Sequence, residues 1–202
     1  MAVKNRSLDP KIIAAARAEF LEKGFQKASL HKIAEKAGIT TGALYTRYQN
    51  KDALFQSLME DFFTAAKNMS GSLYQEYADA QKSGDLTRIL AVIHKEEKIY
   101  QELMFDHYEA CVLFYCKSAG SRAEAMLNEM MRQKTHQTVE YFKAIAKTSL
   151  DLDGVGMILD QQFHFYRQIL EKGYSREKAL ACMELVSIYQ EAGWRALFQV
   201  IL

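Results

Sequence analysis

The feature that most constrains this chain is its single proline, Pro10, among 202 residues. Proline interrupts helices because it lacks a backbone N–H and clashes with the preceding turn. Pro10 directly follows Asp9, which places it at the first position of a helix, where an N–H has no partner in any case. Helix-forming Leu, Ala, Lys, Glu and Met recur throughout. The sequence therefore predicts an all-α protein, and its length suits either one sizeable core or one large domain with a small companion.

Local signals divide the first 50 residues into three helices. In the first, Asp9 is the predicted N-cap, Leu8 and Ile13 are expected to pack together across it, and Gly24 is the predicted C-terminal glycine. The second helix is predicted to begin after the N-cap Ser29 and to reach about Ala37. After the turn at Gly38, Thr40 caps a short third helix, predicted at about residues 41–47.

The later helices have softer boundaries. Asn50 is the predicted N-cap of a long fourth helix, and the division near residue 105 has no breaking residue to mark it. Together with that fourth helix, the predicted ranges are about 50–80, 86–104, 106–117, 121–148, 153–172 and 175–201.

Charge is unevenly distributed along the chain. Residues 1–52 hold ten Lys and Arg against five Asp and Glu, whereas the remaining 150 residues hold sixteen against twenty. A basic N-terminal segment followed by an acidic remainder is typical of a protein whose N-terminal segment binds an anionic polymer such as DNA. Small exposed helices are, however, often basic for solubility alone. The longest apolar run, residues 110–116, is far shorter than the roughly 20 residues that span a membrane. No apolar stretch follows the basic N-terminus, so we expect a cytoplasmic protein.

The second and third helices, joined by a tight glycine turn, predict a helix-turn-helix unit. At 100° per residue, Leu44 and Tyr48 face the first two helices, whereas Gly42 and Thr46 point outward. Thr41, Tyr45, Ala43 and Arg47 flank that outward face. A seven-residue helix is about 10 Å long, short enough to lie in a major groove about 12 Å wide. A lysine at position 51 opposes the dipole of the next helix, and a bound phosphate would resolve that conflict.

At these residues a family resemblance becomes specific. The run from Ser29 to Phe55, SLHKIAEKAGITTGALYTRYQNKDALF, resembles the N-terminal domain of the TetR/AcrR family of transcriptional regulators. The matching positions are Gly24, Ile33-Ala34, Gly38-Ile39, Gly42-x-Leu44-Tyr45-x-x-Tyr48 and Lys51-x-x-Leu54. The detailed resemblance covers about residues 8–60; beyond that, only length and helical character agree.

The resemblance implies an omega-shaped homodimer of about nine helices per chain, with a DNA-binding domain at 1–50 and a ligand-sensing and dimerisation domain at 51–202. It implies a repressor, not an enzyme, that binds a pseudo-palindromic operator and is released by a small molecule. His31 stands where the family often has an arginine that reads a base, and Thr41 where a lysine is common, so the operator sequence stays open. With the outward Gly42 included, the predicted DNA-binding residues are Ser29, His31, Thr40, Thr41, Gly42, Tyr45, Arg47 and Lys51.

Aromatic and sulfur-containing side chains recur in the larger domain, where they serve either as core or as the lining of a partly apolar effector pocket. The pocket candidates are Phe62, Tyr100, Met104, His107, Phe114, Met126, Met130, Phe163 and Tyr166. His107 and Cys111 share a helix face, but zinc needs three or four ligands, so no metal or other cofactor is predicted. A cysteine-based redox sensor is disfavoured because Cys111 and Cys116 lie about 140° apart on a helix.

The last predicted helix is apolar on more than one face, so it must be covered on both sides, one of them by a second subunit. The predicted dimer-interface residues are Leu180, Met183, Val186, Gly193, Trp194 and Leu197; a second stripe holds Leu185, Ile188, Tyr189 and Ala192. The competing class is an enzyme or helical scaffold with a basic head. No Ser/His/Asp, Cys/His or phosphate-loop motif supports that class, but residues from distant helices could still assemble a site.

Overall fold

The computed structural model describes residues 9–147 and 151–201. Over these residues the chain is helical and contains no strand, which confirms the all-α prediction. The ten helices are α1 (Asp9–Lys27), α2 (Leu30–Lys36), α3 (Thr41–Tyr45), α4 (Lys51–Ser57), α5 (Glu60–Ser83), α6 (Leu86–Asp106), α7 (Tyr108–Cys116), α8 (Arg122–Ile145), α9 (Leu152–Lys172) and α10 (Arg176–Ile201). Nowhere in the described part of the chain is a helix both long and apolar enough to cross a membrane.

The short helices begin at the predicted caps. Ser29, Thr40 and Asn50 precede α2, α3 and α4, and each side chain accepts a hydrogen bond from a backbone N–H three residues further on. The Thr40 Oγ1 lies 3.1 Å from its amide partner and the Asn50 Oδ1 lies 2.8 Å from its own. Gly38 has a φ of 70°, a conformation that L side chains rarely adopt. These caps confirm the predicted starts of all three helices.

The first helix is interrupted at Gly24, where the sequence predicted its end, and a further helical segment follows the kink. Gly24 has a φ of 71°, but its ψ of 168° lies outside the left-handed helical region, and helical turns resume as far as Lys27. The kink releases the N–H of Phe25, which donates to the carbonyl oxygen of Lys117 at 2.8 Å. The predicted packing of Leu8 on Ile13 and the predicted Asp9 cap involve side chains outside the described residues.

The predicted fourth helix over 50–80 is wrong in one respect, because it is broken at Leu58 and Met59. The N–H groups of these two residues bond to carbonyls only three residues back, those of Phe55 and Gln56. Consecutive residues on a straight helix point about 100° apart, and the tightened turn buries both Leu58 and Met59. The break accounts for the tenth helix.

The chain divides into two compact units. The N-terminal unit comprises the described residues up to Phe63 together with Tyr108–Asn128, and the C-terminal unit comprises Thr64–His107 together with the described residues from Glu129 onward. Each has its own apolar core. In the first, the rings of Phe20 and Phe55 lie 4.9 Å apart; in the second, Phe142 and Phe198 lie 5.1 Å apart. The predicted domain boundary at residue 50 concerns which residues meet DNA, and it stays a prediction.

Candidate nucleic-acid interface

The frame that carries α3 is apolar on the inside. Leu44 is 1% exposed, and Ile33 and Ala34 of α2 are equally buried. The N–H of Ile39 donates to the carbonyl oxygen of Ala34 at 3.0 Å, which closes the turn between the two helices. A helix of five residues has little intrinsic stability, so this packing fixes the direction in which its outer side chains point.

A buried carboxylate also holds this frame. Glu19 of α1 is 2% exposed; its Oε1 accepts the N–H of Ser29 at 3.2 Å and its Oε2 accepts the ammonium of Lys36 at 3.4 Å. Glu19 therefore ties α1 to both ends of α2. Sequence reasoning did not single it out, although its position seven residues after the buried Ile12 places it on the apolar face of α1.

Most of the predicted DNA-binding residues on and beside α3 are exposed. Tyr45 is 52% exposed. Gly42, Thr40 and His31 are also exposed, and Thr41 is half-buried. A Cβ added to Gly42 would meet only the Thr40 Oγ1, at 3.9 Å, so the glycine is not needed for packing within the chain. Instead it leaves the backbone of α3 open to close approach from outside.

Four of the predicted DNA-binding side chains already have partners within the chain: Ser29, Thr40, Arg47 and Lys51. The Ser29 and Thr40 hydroxyl oxygens accept backbone N–H groups at the starts of α2 and α3. Arg47 donates from Nη1 to the carbonyl oxygen of Ala43 at 3.2 Å. A hydroxyl also has one O–H to donate, and a guanidinium has five N–H donors, so these bonds orient the side chains without using all their donors.

Lys51 has a clear structural role. Its Nζ donates to the carbonyl oxygen of Gln26 at 3.1 Å and lies 4.9 Å from the centre of the Phe25 ring. Partial burial lowers the pKa of Lys51, against the opposing influence of Asp52 and Glu19. The carbonyl and the aromatic face supply the negative potential that offsets its unfavourable position at the start of α4. A bound phosphate is therefore not needed to explain this lysine.

A second set of contacts joins the recognition unit to residues far along the chain. Asp52 Oδ1 accepts the N–H of Arg122, the first residue of α8, at 2.7 Å. Gly120 has a φ of 80°, and a Cβ there would lie 2.8 Å from the Gln26 side chain. The turn before α8 thus belongs to the same compact unit as the helix-turn-helix. Nothing in the sequence indicated this pairing, because Asp52 also reads as an ordinary acidic residue in a first helical turn.

The nine predicted effector residues fall in different surroundings. Phe62, Met104 and Phe114 are buried in apolar packing, whereas Met126 and Met130 are exposed. His107 caps the end of α6, and Phe163 is half-buried. The rings of Tyr100 and Tyr166 lie 5.5 Å apart. Of the nine, Tyr166 alone lines the cavity described next.

That cavity lies within the C-terminal unit, between side chains of α6, α9 and α10. Its volume is about 20 Å³, measured for the centre of a water-sized sphere, which is room for about one water molecule. Glu97 lies at its edge, with Oε2 accepting the Ser187 hydroxyl at 2.9 Å and Oε1 accepting the Gln162 amide at 3.1 Å. Burial raises the pKa of Glu97. Sequence reasoning missed this group, because Glu97 and Ser187 lie 90 residues apart.

The predicted dimer-interface residues of α10 lie mainly on its inner side. Met183 is 4% exposed and lines the cavity with Val186. Trp194 and Leu197 pack against the core cluster of Phe142. Leu180 is half-buried and Gly193 is exposed. Among the large apolar residues of α9 and α10, those left exposed are Leu185, Ile188 and Tyr189 of the second stripe, Val200 near the end of α10, and Met157 and Ile158 of α9.

Comparison with known proteins gives a specific match for the N-terminal unit. The sequence pattern of the family described as "Bacterial regulatory proteins, tetR family" matches residues 12–58. The chain is 26% identical over 151 residues to the uncharacterized HTH-type transcriptional regulator YdgC of Bacillus subtilis (strain 168). That alignment covers 74% of this chain and 73% of YdgC.

Solved structures share the fold over nearly the whole chain. NalD of Pseudomonas aeruginosa, the secondary repressor of the MexAB-OprM multidrug efflux pump, aligns with a TM-score of 0.61 and 17% identity, covering 97% of this chain and 96% of NalD. MexZ, a key repressor responsible for antibiotic resistance in the same species, aligns with a TM-score of 0.61 and 15% identity, covering 98% and 100%. At these identities the likeness concerns the fold alone.

Proposed function

Because this chain belongs to the tetR family of bacterial regulatory proteins, and is a DNA-binding regulator rather than an enzyme, we propose that it is a ligand-responsive repressor. Two copies bind a pseudo-palindromic operator with one α3 in each half-site. A small molecule that occupies the C-terminal unit releases them. The observation that carries this proposal is the exposed Tyr45 on a helix whose inner residue, Leu44, is fully buried.

The chemistry of the α3 surface suits a duplex. Hydroxyl groups of Thr40, Thr41 and Tyr45 can donate to phosphates or base edges, and Gly42 lets the backbone approach closely. His31 of α2 and Arg47, just after α3, add donors beside it. In a dimer, two such helices about 34–36 Å apart would read successive turns of the major groove.

The exposed apolar side chains of α9 and α10 support a second copy of the chain as the dimer partner. Leu185, Ile188 and Tyr189 recur at helical spacing on α10, each at least 60% exposed. Met157 and Ile158 of α9, in the same unit, are exposed as well. An exposed apolar stripe such as that of α10 is typical of a protein–protein interface. We place the dimer contact on these residues, while Met183, Trp194 and Leu197 serve the chain's own core.

Operator binding is tested by a gel shift with DNA from upstream of the protein's own gene. The wild type is expected to form a specific complex that survives competition by unrelated DNA. Tyr45→Ala should lose at least about tenfold in affinity, equal to about 1.4 kcal/mol, while remaining a folded dimer. Tyr74→Ala is the matched control, since Tyr74 is an exposed tyrosine of the C-terminal unit. Equal binding by the two variants would remove Tyr45 from the interface.

The dimer surface is tested by sedimentation. Ile188→Glu places a charge in the centre of the exposed α10 stripe and should convert the dimer to a monomer. Tyr74→Glu introduces the same charge on exposed α5 and should leave the dimer intact. An Ile188→Glu protein that stays dimeric would move the subunit contact elsewhere on the chain.

A further inference from the structure

Glu97 and its neighbours form a polar group at the edge of an apolar cavity in the C-terminal unit. Both carboxylate oxygens are occupied, by the Gln162 amide and the Ser187 hydroxyl. Ser187 is itself buried and has its Oγ 3.4 Å from the His94 Nδ1. The side chains of this group come from α6, α9 and α10, so the Glu97 carboxylate lies where these three helices meet.

The other acidic residues of α6 are paired with cations. Glu96 lies 3.5 Å from the ammonium of Lys134, and Glu102 forms an ion pair with Arg176. Glu97 has no Lys or Arg partner within ion-pair distance in the described ranges 9–147 and 151–201, and both donors that it does have are neutral. A partly buried carboxylate without a hydrogen-bonded cation is held at an energetic cost. Burial is the main cause of the raised pKa of Glu97, and the opposing influence of the Ser187 hydroxyl, His94 and Lys134 does not cancel it.

The cavity beside Glu97 offers an apolar surface. Phe165, Met183 and Val186 contribute to its lining, along with the flexible side chains of Gln101 and Gln190. Its present volume holds about one water molecule. A larger molecule must therefore displace flexible side chains as it enters. Its binding then favours a conformation in which the cavity is wider than in this structure. Coupling of this kind is what an effector requires.

We propose that the effector of this regulator is an organic cation, whose positively charged group is the counter-ion of Glu97 and whose apolar body packs on Phe165, Met183 and Val186. The inference rests on the proposed function, which supplies the role of effector. A cation recovers the energy that an unpaired carboxylate costs, whereas a neutral molecule of the same shape gains only apolar contact. An anion is repelled. The site thus discriminates by charge among ligands of equal size.

The experiment compares phenyltrimethylammonium with tert-butylbenzene, two molecules of nearly the same shape that differ by one positive charge. Each is titrated into the full-length protein by calorimetry, without DNA. The wild type should bind the cation at least about tenfold more tightly, which corresponds to about 1.4 kcal/mol. Equal affinities for the two molecules in the wild type would overturn the proposal, and this arm needs no variant to fold.

Two variants locate the charge. Glu97→Gln keeps the size and one acceptor but removes the negative charge, and it should abolish the preference for the cation. Glu96→Gln is the matched control: it neutralises the adjacent glutamate, which already has Lys134 as its partner, and it should keep the preference. A Glu97→Gln protein with the wild-type preference would overturn the assignment of Glu97.

The operator complex separates this inference from the proposed function. Adding the cation should weaken operator binding by the wild type and by Glu96→Gln, but not by Glu97→Gln. If the wild type binds its operator and shows no charge preference, the inference fails alone. If the Glu97-dependent preference is present in a chain that binds no operator, the site is supported and the repressor proposal fails.

Discussion

Two partly or fully buried glutamates show how differently the two units use charge. Glu19 in the N-terminal unit accepts a backbone N–H and the ammonium of Lys36, so its charge is matched within the chain. Glu97 in the C-terminal unit accepts only neutral donors. The first arrangement fixes the geometry of α1 and α2. The second leaves a charge that a ligand can neutralise, as expected if one unit holds a fixed surface and the other responds to its occupant.

The largest expected change in the free energy of unfolding comes from substitutions in the cores of the two units. Phe20 in the N-terminal unit and Phe142 in the C-terminal unit are both fully or almost fully buried. Replacing either by alanine should lower the free energy of unfolding by about 3–5 kcal/mol, because the variant loses apolar contact and leaves a cavity. Chemical denaturation followed by circular dichroism measures this loss. A loss below about 1 kcal/mol in one variant alone would mean that its core has collapsed around the cavity.

The same contrast governs what the sequence could predict. In the N-terminal unit, Ser29, Thr40 and Asn50 are local caps, and Gly38 needs a positive φ, so short-range patterns located α2, α3 and the start of α4. The position of Tyr45 at the edge of the outward face of α3 was predicted from helical periodicity alone. Local rules were enough here because a cap and its partner lie only three residues apart.

Long-range contacts were beyond these rules. Asp52 accepts the N–H of Arg122 from 70 positions away, and Ser187 meets Glu97 from 90. The apolar pattern of α10 showed that two faces needed cover, but could not say which face meets the chain's own core. The break at Leu58 was missed for a related reason, because it contains no glycine or proline and depends on the burial of adjacent residues.

The second prediction concerns the contribution of the Glu19 charge to stability. Glu19→Gln keeps an acceptor for the Ser29 N–H but loses the charged bond to Lys36, so the free energy of unfolding should fall by about 1–2 kcal/mol. Glu22→Gln is the control on the same helix, since Glu22 pairs with Lys23 at the surface, and it should have little effect. If the two variants are equally stable, the buried carboxylate does not hold α2 in place by its charge.

The third prediction asks whether Lys51 serves the fold, the DNA, or both. Lys51→Met keeps an apolar stem over Phe25 but removes the charge. If Lys51 also contacts a phosphate, the slope of log Kobs against log salt concentration should become shallower by about 0.9. Lys67→Ala, which removes an exposed lysine of the C-terminal unit, should leave the slope unchanged. An unaltered slope in Lys51→Met would assign Lys51 to the contact with Gln26 and Phe25 only.

The smallest change in the free energy of unfolding is expected for Glu97→Gln. This variant should be more stable than the wild type, whereas Glu19→Gln should be less stable. Burial raises the pKa of Glu97 in the folded protein, so the folded state binds a proton more tightly than the unfolded state does. Stability is then lost as the pH rises from the ordinary pKa of a glutamate through the raised pKa of Glu97. Above the raised pKa, the full loss of stability is present. The glutamine carries no such cost. The free energy of unfolding of both proteins is measured at intervals from about pH 4 to pH 8. The stability of the variant relative to the wild type should increase as the pH rises. A wild-type advantage that grows with pH would instead mean that the Glu97 carboxylate is matched by a positive charge in the folded chain, as Glu19 is, and the contrast between the two units would disappear.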